Sequence, residues 1–156
     1  MKKIIFDDPF IKKNYVKDDY IYDKNNQILF LNNIIDNIDF SYNDFIIKDI
    51  KKKFSSYKSQ DKQKKRYDDE QHITYEELLI KLKNSELKCF YCKNDVVLIY
   101  KNKKEKNQWS LERFNNLLGH YNSNTCISCL ECNLKRRNEN YEHFKWSKQL
   151  NILKKN

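Results

Sequence analysis

The chain has 156 residues, which is enough for one domain or for a small domain with an extension. Aromatic residues make up 14% of it and hydrophobic residues 39%, so it can bury a core and does not belong to the compositionally disordered class. Its formal net charge is +9, from 31 Lys and Arg against 22 Asp and Glu, and this excess favours a polyanionic partner. No apolar run approaches the ~20 residues that a transmembrane helix needs.

In the first part of the chain, the apolar residues show little regular spacing. The N-terminus, MKKIIFDD, lacks the apolar stretch of a secretory signal, so we expect an intracellular protein, in the cytoplasm or the nucleus. Residues 27–31 (QILFL) could form a short strand. From Tyr42 to Tyr57 apolar side chains recur at helical spacing, which predicts an amphipathic helix with a basic second face. The candidate nucleic-acid contacts on this face are Lys51, Lys52 and Lys53.

The middle of the chain contains a charged stretch without periodicity, followed by a predicted helix. Residues 58–70 show no period and predict a charged loop or linker. The stretch Thr74-Tyr75-Glu76-Glu77 is a capping box, which predicts the start of a helix that ends near Asn84-Ser85. Further on, Gly119 is the one glycine of the chain, which indicates a backbone position that no side chain can occupy.

Five cysteines lie in the second half of the chain. Cys89 and Cys92 form a Cys-x-x-Cys pair, whose spacing lets two thiolates from one tight turn bind one metal ion. Downstream, Cys126, Cys129 and Cys132 offer two overlapping choices for a second pair. An odd number of cysteines in a reducing compartment argues against disulfides, so the pattern predicts a structural zinc site.

The segment from Trp109 to Lys135, WSLERFNNLLGHYNSNTCISCLECNLK, resembles the HNH (His-Me finger, ββα-metal) endonucleases that contain an embedded four-cysteine zinc site. The resemblance covers about residues 86–140. It is most specific from Asn124 through Cys129 to Cys132-Asn133. It selects Cys129 and Cys132 as the partners of Cys89 and Cys92, and leaves Cys126 as a small buried thiol.

The resemblance implies an α+β fold, with a zinc-bound ββα-metal core and flanking helices. Residues 1–70 would be an N-terminal extension with the basic helix, and residues 71–156 the nuclease domain with a basic C-terminal helix. Glu112, in place of the commoner Asp, and Asn133 would bind catalytic Mg²⁺ or Mn²⁺, since hard oxygen ligands suit these ions. Asn124 would brace the catalytic base and the hairpin.

The base itself departs from the commonest pattern of the family. Many members carry a histidine directly after the strand carboxylate, where this chain has Arg113. A branch of the family instead pairs an acidic residue and Arg with an aromatic base seven residues after the Arg, following a glycine, and here that residue is His120. Imidazole can accept a proton near neutral pH, so His120 is the expected general base and Arg113 the expected ligand of the scissile phosphate.

The sequence therefore predicts a metal-dependent endonuclease that hydrolyses DNA phosphodiester bonds, with duplex DNA as its substrate. Lys135, Arg136 and Arg137 on the helix after Cys132 are further candidate phosphate contacts. The alternative is a zinc-stabilised nucleic-acid-binding module without catalysis, and RNA remains open as a partner. His72 and His143 lack the spacing of His120, and we expect structural roles for both.

Overall fold

The computed structural model describes residues 8–155, and the side chains of residues 8–150. Within that range it contains five α-helices and one two-stranded antiparallel sheet, which confirms the predicted α+β class. In chain order the elements are a 3-10 helix at Asp19–Tyr22, α1 at Lys24–Ile35, α2 at Asn43–Gln63, α3 at Tyr75–Asn84, β1 at Trp109–Arg113, a 3-10 turn at Asn122–Asn124, β2 at Thr125–Cys129, α4 at Leu130–Arg136 and α5 at Tyr141–Lys155.

The strand predicted over residues 27–31 is wrong, because these residues lie inside α1. A short apolar run does not distinguish a strand from a buried helix. The helix is favoured by its N-cap, where the Asp23 side chain accepts a hydrogen bond from the Asn25 amide at 2.9 Å. Its buried side chains follow a helical period, and they are Gln27, Phe30, Leu31 and Ile34.

The basic helix is longer than predicted. It runs over Asn43–Gln63, so the loop predicted for residues 58–70 is wrong for its first six residues. The buried side chains of α2 show why the helix continues. Ile46, Ile50, Tyr57 and Asp61 lie along one face, with the last of them in the stretch that had looked aperiodic. The apolar residues of this face end at Tyr57, and the buried Asp61 continues the face by one more turn.

The capping box is confirmed at the start of α3. The Thr74 hydroxyl accepts from the Glu77 amide at 3.1 Å, and the Glu77 carboxylate accepts from the Thr74 amide at 3.0 Å. The helix ends at Asn84, as expected. Among residues 8–155, no helix combines the length and the apolar character that crossing a bilayer requires.

Strands β1 and β2 form a hairpin in which Trp109 lies opposite Cys129 and Arg113 lies opposite Thr125. Helix α4 begins at Leu130, directly after β2. The chain therefore runs strand, loop, strand, helix, and residues 114–124 form the loop between the strands. We call residues 114–124 the hairpin loop.

One hydrophobic core connects the N-terminal helices to the hairpin. Trp109 and Leu111 are each 1% exposed, so both belong to this core. The Tyr57 hydroxyl on α2 accepts a hydrogen bond from the Leu111 amide at 3.0 Å, so α2 is held directly against β1. This contact places the C-terminal half of α2 beside the hairpin loop.

Candidate functional site

Four cysteines form a cluster able to hold a metal ion. The Sγ atoms of Cys89, Cys92, Cys129 and Cys132 all lie within 4.8 Å of one another. The Cys92 and Cys129 sulfurs are 3.9 Å apart, close to the roughly 3.8 Å expected between thiolates that surround one zinc at about 2.3 Å in a tetrahedron. The donor set therefore fits a structural zinc, and the predicted choice of Cys129 and Cys132 is confirmed as the set that the fold brings together.

Local geometry explains how the two cysteine pairs meet. Cys129 ends β2 and caps α4, where its sulfur accepts from the Cys132 amide at 3.3 Å. The first pair is attached to this corner by a hydrogen bond of 2.9 Å from the Phe90 amide to the Ile127 carbonyl. Cys126 lies outside the cluster and is 7% exposed, and burial raises the pKa of its thiol. It is the small buried thiol that the sequence predicted.

Glu112, the predicted metal ligand on β1, is buried and already bound on both oxygens. Its Oε1 accepts from the Arg136 guanidinium at 2.6 Å, and its Oε2 accepts from the Tyr91 hydroxyl. Burial raises the pKa of the Glu112 carboxyl, while the Tyr91 hydroxyl and Arg136 act in the opposite direction. Glu112 is therefore a partner in a buried ion pair.

Asn133, the second predicted ligand, donates from Nδ2 to the Ser110 hydroxyl at 3.1 Å. Ser110 and Glu112 are two residues apart on β1, so they lie on the same face of the hairpin and Asn133 shares that side. Mg²⁺ and Mn²⁺ need free oxygen ligands. Because a cation and a hydroxyl already bind both oxygens of Glu112, these residues do not fit a Mg²⁺ or Mn²⁺ site in this arrangement.

Arg136 was predicted to contact phosphate, but it is only 4% exposed. Besides Glu112 it binds three carbonyl oxygens, those of Arg113, Phe114 and Glu139. A phosphate contact requires an exposed cation, so the prediction for Arg136 is wrong. Arg136 joins the end of β1 to the segment that follows α4.

The hairpin loop is closed by two predicted site residues. Arg113 donates from Nη1 to the Leu118 carbonyl at 3.0 Å. Asn124 accepts from the Asn115 amide at 3.0 Å and donates to the Gly119 carbonyl at 3.1 Å. Together these contacts hold the backbone that leads into His120.

His120 is buried, with 4% of its surface exposed, and its ring is oriented by a neighbour that the sequence did not indicate. Its Nδ1 lies 2.8 Å from Asp61 Oδ1, and its backbone amide donates to Asp61 Oδ2 at 2.7 Å. Burial lowers the pKa of His120 to about 4, because the loss of solvation outweighs the opposing effect of Asp61. The imidazole is therefore neutral at pH 7 and able to accept a proton.

Gly119 explains why the chain needs a glycine here. A Cβ at this position would lie 2.5 Å from the Arg66 carbonyl oxygen and 2.8 Å from Asp61 Oδ2. Both distances are too short for a carbon atom, which confirms that no side chain can occupy the position. The close approach lets the backbone place His120 directly against α2.

Sequence reasoning missed Asp61, and it did not place His72 beside the site. Asp61 is 1% exposed, and the signal for it was present, since it continues the helical stripe of Ile50 and Tyr57. His72 has its Nδ1 3.4 Å from Asp61 Oδ2, and it is buried, as a structural histidine would be. No local pattern connects His72 to His120, because an isolated β-bridge between His72 and Tyr121 brings them together.

The predicted basic contacts fall into two groups. Lys51, Lys52, Lys135 and Arg137 are exposed. Lys53 instead points inward, where it donates to Gln108 Oε1 at 2.8 Å, to the Tyr100 hydroxyl and to the Trp109 carbonyl. Burial and the nearby Lys12 lower the pKa of the Lys53 ammonium to about 7. Lys53 therefore supports the packing of α2 on β1 and is not placed for a phosphate.

Comparison with protein-family models, with curated proteins and with solved structures finds no match to this chain. What the protein does must therefore be argued from the cysteine cluster and the hairpin loop themselves.

Proposed function

We propose that the protein is an endonuclease of the HNH type that hydrolyses DNA phosphodiester bonds, with a structural zinc bound by the four cysteines. The observation that supports this most is the arrangement of the hairpin loop, where Arg113 and Asn124 bind the carbonyls of Leu118 and Gly119, directly before His120. A neutral imidazole, a guanidinium and a braced loop are the parts that such a hydrolysis uses.

In the proposed reaction His120 removes a proton from the attacking water. Its Nδ1 is bound to Asp61, so Nε2 is the nitrogen that accepts the proton. Arg113 uses Nη1 for the loop carbonyls, and its remaining N–H groups can bind phosphate oxygens and offset the charge that develops there. Arg113 cannot itself act as the base, because it does not release its proton near neutral pH.

A zinc ion held by four thiolates has no open coordination position, so its contribution is to the fold and not to the chemistry. The resemblance also implies Mg²⁺ or Mn²⁺ at Glu112 and Asn133. The Glu112–Arg136 ion pair opposes this assignment, and we derive no step of the reaction from it. Dependence on either ion is open to a direct assay.

The second candidate is a zinc-stabilised nucleic-acid-binding module without catalysis. The same ion pair favours it, because a carboxylate committed to Arg136 is not available for chemistry. Against it stands His120, whose burial beside Asp61 a module that only binds would not require.

The test is nicking of a supercoiled plasmid by the zinc-loaded protein with Mg²⁺, with Mn²⁺ and without added metal. Loss of the base in His120→Ala should lower the rate by roughly 10²–10⁴-fold, while zinc content and DNA affinity stay close to wild type. His120→Asn is the second variant, because its amide nitrogen takes the place of Nδ1 and can still donate to Asp61, which preserves the fold. The matched control is His143→Ala, which removes an exposed histidine whose ring binds Glu139.

Two results would contradict the proposal in different ways. Cleavage by both His120 variants at the wild-type rate would show that another group activates the water. A wild-type protein that binds DNA but cuts none under any metal condition would favour the binding module.

A further inference from the structure

The Asp61 carboxylate on α2 makes two hydrogen bonds to one residue. Its Oδ2 accepts from the backbone amide of His120 at 2.7 Å, and its Oδ1 lies 2.8 Å from the Nδ1 of the same residue. Asp61 is 1% exposed, so water does not compete for either oxygen. The two contacts fix both the position of the His120 backbone and the orientation of its ring.

Further contacts from the same helix restrict the ring. The Tyr57 ring, one turn before Asp61, packs on the imidazole with 4.7 Å between the ring centroids. The Tyr57 hydroxyl is itself bound to the Leu111 amide, so the aromatic wall is attached to β1. Helix α2 therefore presents one apolar and one charged contact to His120, spaced one turn apart.

A second imidazole approaches the carboxylate from the other side. His72 Nδ1 lies 3.4 Å from Asp61 Oδ2, and among the described residues neither of its ring nitrogens has a hydrogen-bond partner. The Asp61 carboxylate thus lies between two histidines, and within residues 8–150 its hydrogen bonds go to His120. The carboxylate therefore orients the His120 ring by hydrogen bonds and does not orient the His72 ring in this way.

We propose that Asp61 is the positioning residue of the site, which holds His120 as the tautomer with its proton on Nδ1 and leaves the lone pair of Nε2 free to accept a proton. An ionised carboxylate only accepts hydrogen bonds, so the nitrogen that faces it must carry the proton. The tautomer follows from these contacts alone. Its importance for DNA cleavage rests on the function proposed above.

Replacing Asp61 with asparagine has a specific consequence. The backbone amide of His120 can only donate, so the one carbonyl oxygen of asparagine must remain opposite it. The NH₂ group of asparagine then faces Nδ1, which has to become the acceptor. The proton moves to Nε2, and His120 loses the lone pair that a base at this position needs.

The experiment measures the tautomer directly. Proton–nitrogen correlation spectra of the nitrogen-labelled, zinc-loaded protein distinguish a protonated from an unprotonated ring nitrogen without any DNA. We expect protonation on Nδ1 in the wild type and on Nε2 in Asp61→Asn. Two controls should retain the wild-type pattern at His120. Asp49→Asn makes the same change at a carboxylate of α2 that binds Lys12, and His72→Gln removes the second imidazole.

The cleavage rate supplies the second readout. We expect kcat of Asp61→Asn to fall by roughly 10²–10⁴-fold with little change in KM, since the wrong tautomer removes the base and not the DNA contacts. The proposal is overturned if wild-type His120 carries its proton on Nε2, or if folded Asp61→Asn keeps the wild-type tautomer. The wild-type spectrum alone decides the first point, even if a variant does not fold.

Failure of the proposed function leaves a different signature. A wild-type protein with Nδ1 protonated that cuts no DNA would retain Asp61 as the positioning residue and reject the nuclease. Asp61→Asn with the altered tautomer but the wild-type cleavage rate would show that His120 is not the base.

Discussion

The Glu112 carboxylate and the Arg136 guanidinium are each 4% exposed and 2.6 Å apart. Removing two charges from water has a large cost, which their mutual attraction and additional hydrogen bonds must offset. Here Tyr91 and three backbone carbonyls supply those bonds. Each charge of the pair is neutralised by the other, so removing one partner leaves an unpaired buried charge.

We expect Glu112→Ala to lower the free energy of unfolding by about 3–5 kcal/mol, because Arg136 would remain buried without its counter-ion. Urea denaturation of the zinc-loaded protein measures the change. Glu131→Ala is the matched control, since Glu131 forms an exposed pair with Lys135 on α4 at 2.7 Å. Its loss should change the free energy of unfolding far less, because water screens an exposed pair. Equal stability of the two variants would show that the Glu112 carboxylate is free for another role, such as binding a cation.

None of the small elements around the cysteines is stable by itself. Helix α4 has seven residues and the hairpin has two strands, and both are too small to form alone in water. The four cysteines connect the turn that follows α3, the end of β2 and the first turn of α4. A bound zinc would supply the free energy that joins these pieces, so metal binding and folding of this region should occur together.

We expect one zinc per wild-type chain and a loss of zinc in Cys129→Ser, with loss of protection from hydrogen exchange in β1, β2 and α4. Cys126→Ser should keep the zinc and this protection, because its sulfur lies outside the cluster. Metal analysis and hydrogen exchange on the two variants measure the difference. Equal zinc loss from both substitutions would mean that Cys126 is a ligand. If the wild-type chain folds without any metal, zinc does not contribute to its stability.

Across the whole molecule, charge is concentrated in particular regions. Residues 48–66 contain nine Lys and Arg against two Asp, and most of these residues lie on α2. Lys53 and Asp61 from this stretch are turned inward, so the external face is more uniformly basic than the sequence suggests. The helix that presents Asp61 to His120 thus also presents an exposed basic face, which would attract a polyanion to the same region.

We expect Lys51→Ala with Lys52→Ala to weaken binding of duplex DNA similarly for all sequences. The slope of log K against log salt should fall by roughly 0.9 for each phosphate contact that is lost. The control is Lys83→Ala with Lys93→Ala, which removes the same charge from two exposed lysines outside α2. Binding of DNA over a range of salt concentrations measures both slopes. If the two double variants behave alike, only net charge matters and α2 is not the contact surface.

The features that the sequence predicted correctly depend on neighbours close along the chain. The capping box at Thr74 and Glu77 uses residues three apart, and the Cys89–Cys92 pair uses a similar spacing. The basic face of α2 follows from a helical period. Even the choice of Cys129 over Cys126 came from a short motif. In each case the contacts that stabilise the structure lie within a few residues, so the sequence displays them directly.

The sequence by itself determined the α+β class, the cysteine cluster and the region that contains the candidate site. Only the tertiary structure decided which charges face each other. Asp61 is 59 residues from His120, and Arg136 is 24 residues from Glu112. Neither spacing belongs to a local period, because both pairs form only when α2 packs on the hairpin and α4 packs under β1. Burial then decides the outcome, since a charge removed from water must find a partner wherever the fold supplies one.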